Sequence, residues 1–455
     1  MDGTCHGLRK VAERGSAECR RAGVPDERCV LPLGSAVVRG EVDAHESSWL
    51  HRALSLQYEL AADVPLRDAP WIGTHNSFNS TSELPTLSHT DSNQQLSLTD
   101  QLRIDVRSLE LDVHSVPSPR SGADQPAPVV CHGAELHAGC TWERPLGEVL
   151  DEIAAWLAAH PDQVLLLYLE DHLDSEADHD RAAAELDSRL TSADGSRSLI
   201  QRTGGGAGGC ATLPLDTTRA DVLAAGAQVV LVGRCGSGAA WRADVFDWGP
   251  VEVESRAHGY RDHPTCDQDP DGDGAPELDR TTYGARLVRY YEDSTWLTRV
   301  ASQAGQATTD DGISPETAGR MVRCGVDLLG FDQILPRDGR LEAVAWSWAP
   351  GEPAGGGACA VQGSDGRWRA HACGERHAAA CRATDGTWVV VGPPVPYSAA
   401  AVRCGARGLR LAVPRTGREN ALLLDAARRA GAAGPGGVWL GHRLAAGRWT
   451  AQDPR

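Results

Sequence analysis

A TIM-type (β/α)8 barrel, regular or distorted, followed by a smaller disulfide-bonded α+β domain is the fold class this 455-residue sequence predicts. Three observations predict it. From about residue 68, short apolar strands alternate with amphipathic helices, a rhythm that builds a parallel sheet covered on both faces. Nearly every strand ends on its C-terminal side in His, Asp, Glu or Arg, the edge at which such barrels assemble their sites. After Pro336 the texture changes to Gly, Ala, Trp and Cys, with little helical periodicity until 418–430. An open doubly wound sheet is the alternative for the first part, and the polar strand ends favour the barrel.

The elements follow in order. Residues 1–60 read as a polar, cysteine-bearing lead-in, 61–337 as the barrel and 340–455 as the second domain. Strands are expected at 70–75, 106–114, 128–132, 164–170, 228–233, 244–248 and 326–332, and helices at 146–159, 176–191, 284–303 and 315–323. In 146–159 the residues Leu146, Val149, Leu150, Ile153 and Leu157 fall on one face at helical spacing.

Charge and cysteine content bound the function. A formal charge of −18 without a basic run excludes nucleic acid as a partner. The same charge opposes an anionic membrane at long range, so a lipid substrate has to be met through local arginines, a bound cation or apolar contact. No run reaches the length of a transmembrane helix. Thirteen cysteines without a CxxC pattern point to disulfides and so to a secreted or periplasmic protein, although the start MDGTCHGLRK has no apolar signal segment. The odd number leaves one free or intermolecular thiol.

The chemistry concentrates in four stretches: GTHNS (73–77), LELD (109–112), VCHG (130–133) and YLEDH (168–172). Within RSLELDVH, strand alternation puts Glu110, Asp112 and His114 on one face. Two carboxylates there are costly unless a cation or proton lies between them. In order and spacing the four stretches resemble the X domain of phosphatidylinositol-specific phospholipase C, in its calcium-dependent bacterial form, over about residues 68–335. That resemblance implies catalytic histidines at His75 and His132 and Ca2+ ligands at Asn76, Glu110, Asp112 and Glu170. An amide oxygen with three carboxylates is a hard donor set that suits Ca2+ better than zinc. His132 is the expected general acid. Base and transition-state stabiliser both stay open for His75, since Glu110 could also accept the nucleophile's proton.

Further candidates are Arg234 for the phosphate or headgroup, Tyr290 or Tyr291 for stacking on an inositol ring, and Asp332 to orient His75 through its Nδ1–H. In 266–279 the alternation Asp269, Asp271, Asp273, with Glu277 and Asp279 beyond, reads as a second calcium loop or a plain acidic loop, without EF-hand spacing. The segment 340–455 resembles a C-type lectin-like domain with its halves inverted, either permuted or the tail of one module followed by the head of another. Its sugar-ligand positions read Glu352-Pro353-Ala354 and Trp368-Arg369-Ala370, which disfavours calcium-dependent sugar binding and leaves a protein- or glycan-contacting accessory role.

The resemblance implies a calcium-dependent phosphodiesterase that cleaves the glycerol–phosphate bond of phosphatidylinositol at a membrane surface. The alternatives are a barrel diesterase for another glycerophospholipid or sphingolipid headgroup, and a lectin-like surface-binding protein with an inactive barrel. Neither a C2-type docking module nor a basic membrane-facing loop is found.

Overall fold

The computed structural model describes residues 39–82, 92–118, 125–133, 143–204, 209–249, 252–254, 283–303, 312–432 and 436–452, with 137, 140, 265–267, 278 and 280. The first sheet is built from β1 (Trp71–Thr74), β2 (Ser108–Val116), β3 (Ala127–Val130), β4 (Arg144–Pro145), β5 (Leu165–His172), β6 (Val229–Gly233), β7 (Val245–Asp247), β8 (Glu252–Glu254), β9 (Leu287–Tyr291) and β10 (Leu328–Phe331). Eight of these run parallel in the order β7-β6-β5-β2-β1-β10-β9-β8. First and last strands are therefore neighbours, and the sheet curls into a barrel whose ladder is interrupted, among the described residues, between β7 and β8. This is a distorted TIM-type barrel.

Side-chain alternation assigns two cores. Inward-facing Trp71, Leu166, Val230, Val232, Phe246, Leu287, Tyr291 and Leu328 fill the barrel. Outward-facing Leu109, Leu111, Val113, Leu167 and Leu169 pack against helices. The helix Leu146–Ala159 forms where its apolar spacing predicts, and Leu146, Val149, Leu150, Ile153 and Leu157 are all fully buried. The helix Pro315–Cys324 carries its own punctuation. Ser314 caps its amides, Pro315 sits in the first turn, and Gly325 ends it at φ +92°, a left-handed conformation that favours glycine.

Two expectations need correction. Residues 128–132 do not supply a parallel barrel strand. β3 runs antiparallel to the far end of β2 and pairs with β4, because β2 extends past the barrel and offers a free edge. Residues 284–303 are not one helix. β9 occupies Leu287–Tyr291, and only Trp296–Gln303 is helical. LVRYY, with a β-branched residue and two tyrosines, has strand rather than helix propensity.

The second sheet holds β11 (Cys359–Gln362), β12 (Trp368–His371), β13 (His377–Arg382), β14 (Trp388–Val395), β15 (Arg410–Leu411), β16 (Val438–Ala445) and β17 (Arg448–Ala451). Its order is β12-β11-β16-β13-β14, so strands from both ends of this segment lie side by side in one sheet. Trp346, Trp348, Trp368, Trp388 and Leu440 form its core, joined by Ala53 and Leu60 of the helix Trp49–Leu60. Gln57 on that helix donates to the Val344 carbonyl and accepts from Ser347, tying the segment to the entry of the second domain. Disulfides join Cys131–Cys140, Cys210–Cys235, Cys266–Cys324, Cys359–Cys373 and Cys381–Cys404, whereas Cys5, Cys19 and Cys29 lie outside the described residues. No described helix is long and apolar enough to cross a membrane.

Gly330 sits where β10 passes the Tyr291 ring, and a Cβ there would run into the ring carbons. Gly330→Ala is expected to destabilise the fold by about 1–3 kcal/mol through this overpacking. Urea unfolding monitored by circular dichroism checks it, and unchanged stability would refute the close approach.

Candidate active site at the barrel mouth

Parallel register places the polar ends of the strands side by side. β1 pairs with β10 so that Thr74 lies opposite Phe331, and the next residues, His75 and Asp332, meet. Asp332 is fully buried, and its Oδ2 lies 3.1 Å from His75 Nδ1. The same Oδ2 accepts from the Ser294 amide at 2.6 Å and from Asn93 Nδ2 at 3.3 Å, while Gln94 Nε2 donates to Oδ1 at 3.2 Å. A carboxylate held by backbone and amide donors is fixed in position before His75 leans on it.

The backbone of Asp332 is held from below. Buried Glu292 accepts from the Asp332 amide at 2.7 Å and pairs with Arg340 at 2.5 Å, and Arg340 Nη2 donates to the Asp332 carbonyl at 2.9 Å.

On the other side of His75 stands β2. Glu110 Oε2 lies 3.9 Å from His75 Nε2 and accepts from the Asn76 amide at 3.3 Å. Asn76 has φ +43°, one of the few left-handed non-glycine positions, which asparagine tolerates. That twist directs its carboxamide at Asp112, one terminal atom lying 2.8 and 2.9 Å from the two carboxylate oxygens. β2 and β5 then align Asp112 with Glu170 and His114 with His172. Glu170 is half-buried and lies 3.1 Å from His172 Nε2, and the His114 and His172 rings stack at 4.3 Å.

Charge in this column is not balanced by the protein alone. Burial raises Glu110 to about 7, with Glu170 adding to the effect and His75 opposing it. Burial and the neighbouring Glu110 and Glu170 push Asp112 well above the ordinary carboxylate range. For His75, burial works against the charged form, but Asp332 and Glu110 outweigh it and raise the imidazole to about 10. Carboxylates packed this way call for a cation. Asn76, Glu110, Asp112 and Glu170 offer one amide and three carboxylate groups; the Asn76 nitrogen donates to Asp112, and turning the amide over would add its oxygen to the carboxylates as a hard donor set that fits Ca2+.

His132 follows β3 and is exposed. It is reached from the His75 side through two asparagines. Asn93 Nδ2 faces acceptors, the Asp332 carboxylate and the Ser294 carbonyl, so its Oδ1 accepts from Asn79 Nδ2 at 2.7 Å. The same Asn79 nitrogen faces His132 Nδ1 at 3.1 Å. The contact fixes the ring at its Nδ1 side and leaves Nε2 as the nitrogen available to a substrate.

Of the remaining candidates, Arg234 is exposed and acts electrostatically on Glu170 and His172. Tyr291 is buried inside the barrel with its ring 6.1 Å from that of His75, and Tyr290 packs outward among the helices. Asp269, Asp271, Asp273, Glu277 and Asp279 lie outside the described residues. Asn79, Asn93, Gln94, Glu292 and Arg340 were not expected from the sequence. Asn79 stands four residues after His75 in the same conspicuous stretch, and a strand reading of LVRYY would have brought Glu292 to the mouth.

The family match places the barrel in a PI-PLC-like class, a phosphodiesterase-type enzyme family. Residues 30–338 match the family described as the Rv2075c PI-PLC-like domain, and the chain belongs to that family. It is 48% identical over 451 residues to the uncharacterized protein Rv2075c of Mycobacterium tuberculosis strain ATCC 25618 / H37Rv, and equally to the uncharacterized protein MT2135 of strain CDC 1551 / Oshkosh, with 97% of this chain and 89% of each relative covered. Among solved structures, the phosphatidylinositol-specific phospholipase C of Listeria monocytogenes is 14% identical with a TM-score of 0.37, covering 64% of this chain and 98% of that one. The F249X mutant of the Staphylococcus aureus enzyme is 14% identical with a TM-score of 0.40, covering 65% and 98%. The calcium-dependent phosphoinositol-specific phospholipase C of a Pseudomonas species is 13% identical with a TM-score of 0.33, covering 62% and 97%.

Asp332→Asn removes the charge that favours the His75 imidazolium. In chelated protein the His75 pKa is expected to fall from about 10 toward its ordinary 6.5, read from the histidine Cε1–H signals by NMR. Because the folded value is raised, the stability His75 contributes is complete below 6.5 and is lost as pH rises through about 10. The variant should lose less stability over that window than the wild type, and an unmoved titration would remove Asp332 as the partner that matters.

Proposed function

We propose that this chain is a secreted or periplasmic, Ca2+-dependent phosphodiesterase of the phosphatidylinositol-specific phospholipase C type. It cleaves the glycerol–phosphate bond of phosphatidylinositol at a membrane surface by attack of the inositol 2-hydroxyl, giving diacylglycerol and a cyclic inositol phosphate. The observation that carries this is the convergence of His75, Asn76, Glu110 and Asp112 at one barrel mouth, with Glu170 in register beside them. Membership of a PI-PLC-like family supports the reaction class, and the five disulfides among the described residues support the compartment.

Asn76, Glu110, Asp112 and Glu170 would hold the ion, which when bound neutralises phosphoryl charge and lowers the nucleophile's pKa. His75, charged at neutral pH through Asp332 and Glu110, steadies the oxygens that gain charge at phosphorus rather than taking a proton. Glu110 takes the proton of the attacking hydroxyl. In its imidazolium form His132 gives the Nε2 proton to the departing glycerol oxygen and is left neutral. Arg234 meets the headgroup or phosphate from the rim, and the C-terminal domain serves as an accessory module for protein or glycan contact.

The test is release of water-soluble phosphorus from phosphatidylinositol vesicles. Activity is expected with Ca2+, lost with chelator, and reduced by about 10²–10⁴ in His132→Ala, which removes the acid. No release by folded, oxidised wild type would overturn the substrate, and release insensitive to chelator would overturn the metal.

A further inference from the structure

Far from the barrel mouth in sequence, the C-terminal domain gathers two histidines and a carboxylate where β12 runs into β13. His371 ends β12, His377 opens β13, and Glu375 lies in the turn between them. Glu375 Oε1 accepts from the Ala372 amide at 3.1 Å, which fixes the carboxylate plane. Its Oε2 lies 2.8 Å from His371 Nδ1 and 3.5 Å from His377 Nε2. The imidazoles thus converge on one oxygen.

His377 is 6% exposed, and its Nδ1 meets the Gly436 carbonyl. A carbonyl only accepts, so Nδ1 donates to it and Nε2 is the nitrogen left facing inward. That nitrogen is buried without a hydrogen bond, and the neighbour it faces is another acceptor, Glu375. A buried imidazole nitrogen left without a hydrogen bond beside a carboxylate is a place for a cation.

We propose that His371, Glu375 and His377 bind a divalent transition-metal ion of the Zn2+ class. Two nitrogens and one oxygen favour such an ion over Ca2+. Bond lengths near 2.1 Å would hold tetrahedral ligands about 3.4 Å apart, close to the spacing of these atoms. The Gly436 carbonyl on His377 and the Ala372 amide on Glu375 supply the outer hydrogen bonds that orient ligands. Rigidity comes from the Cys359–Cys373 disulfide, since Cys359 lies opposite His371 in the ladder and Cys373 is in the turn. Three protein ligands leave one position for water or a partner's side chain.

A second histidine–carboxylate group, His45, His51 and Asp105, differs in this respect. Both histidines already bond Asp105, and the Arg107 guanidinium lies 4.0 Å from the same carboxylate, so its charge is compensated.

The experiment titrates Co2+ into chelator-treated full-length protein with excess Ca2+ present to fill oxygen sites. Trp439, whose ring is 4.4 Å from that of His377, reports binding by fluorescence quenching, and visible absorption reports the ligand field. One equivalent displaced by Zn2+ is expected, with affinity lowered at least about tenfold in His371→Ala and in Glu375→Gln and kept in Asp112→Asn. His371 and Glu375 are partly exposed, so both variants should melt like wild type when metal-free. Absence of uptake, equal uptake by all variants, or loss only in Asp112→Asn would each overturn the site.

Discussion

The pairing of β1 with β10 is the interaction on which the mouth depends. It joins residues some 257 positions apart and sets His75 against Asp332. Such a contact forms only when the barrel has closed, so the loop-closure entropy of nearly the whole domain stands behind one hydrogen bond. The cost is shared. Glu292 and Arg340 bind the Asp332 backbone, Asn93 and Gln94 bind its side chain, and Ser294 contributes an amide. A buried ion pair of this kind adds little net stability over an apolar substitute. Its effect here is placement, because Asp332 has almost no freedom left when His75 meets it.

Electrostatics then distinguish the two sides of the imidazole. On one side burial raises Asp332 to about 6, His75 opposes this, and the carboxylate accepts from Ser294, Asn93 and Gln94. On the other, Glu110 and Asp112 are buried, aligned with Glu170, and raised above their ordinary range by burial, with Glu170 acting on both and Glu110 on Asp112. The first arrangement is complete without a ligand, whereas the second is not. The same barrel therefore contains a positioning carboxylate and a cation-demanding set within one imidazole's width, and what separates them is the supply of N–H donors.

Much of this was legible in the sequence. Alternation on β2 put Glu110, Asp112 and His114 on one face before any fold was known, and the apolar spacing of 146–159 identified the buried side of its helix. Asp332 was legible as a partner of His75 because a closed barrel makes first and last strands adjacent. The remainder was lost for local reasons. A parallel strand and an antiparallel extension share the same period, so 128–132 could not reveal the direction of β3. In 284–303 the charged tail after RYY imitated helix amphipathicity, which hid Glu292. Asn79 and Asn93 were unreadable because a polar relay between loops leaves no periodic trace, and only the register of the strands beneath brings the loops together.

Disulfides complete the same logic at the rim. His132 and Arg234 both stand on segments beyond the regular strands, where backbone ladders no longer hold them. Each is adjacent to a half-cystine: Cys131 precedes His132 and bonds Cys140, and Cys235 follows Arg234 and bonds Cys210. Short loops closed this way restrict the chain locally as well as in the unfolded state. The groups in the barrel column are immobilised by packing and register, and the groups at the rim by covalent links. The disulfides therefore bear on the geometry of the mouth as well as on the stability of the fold, since reduction would release the links beside the two residues that approach it from outside.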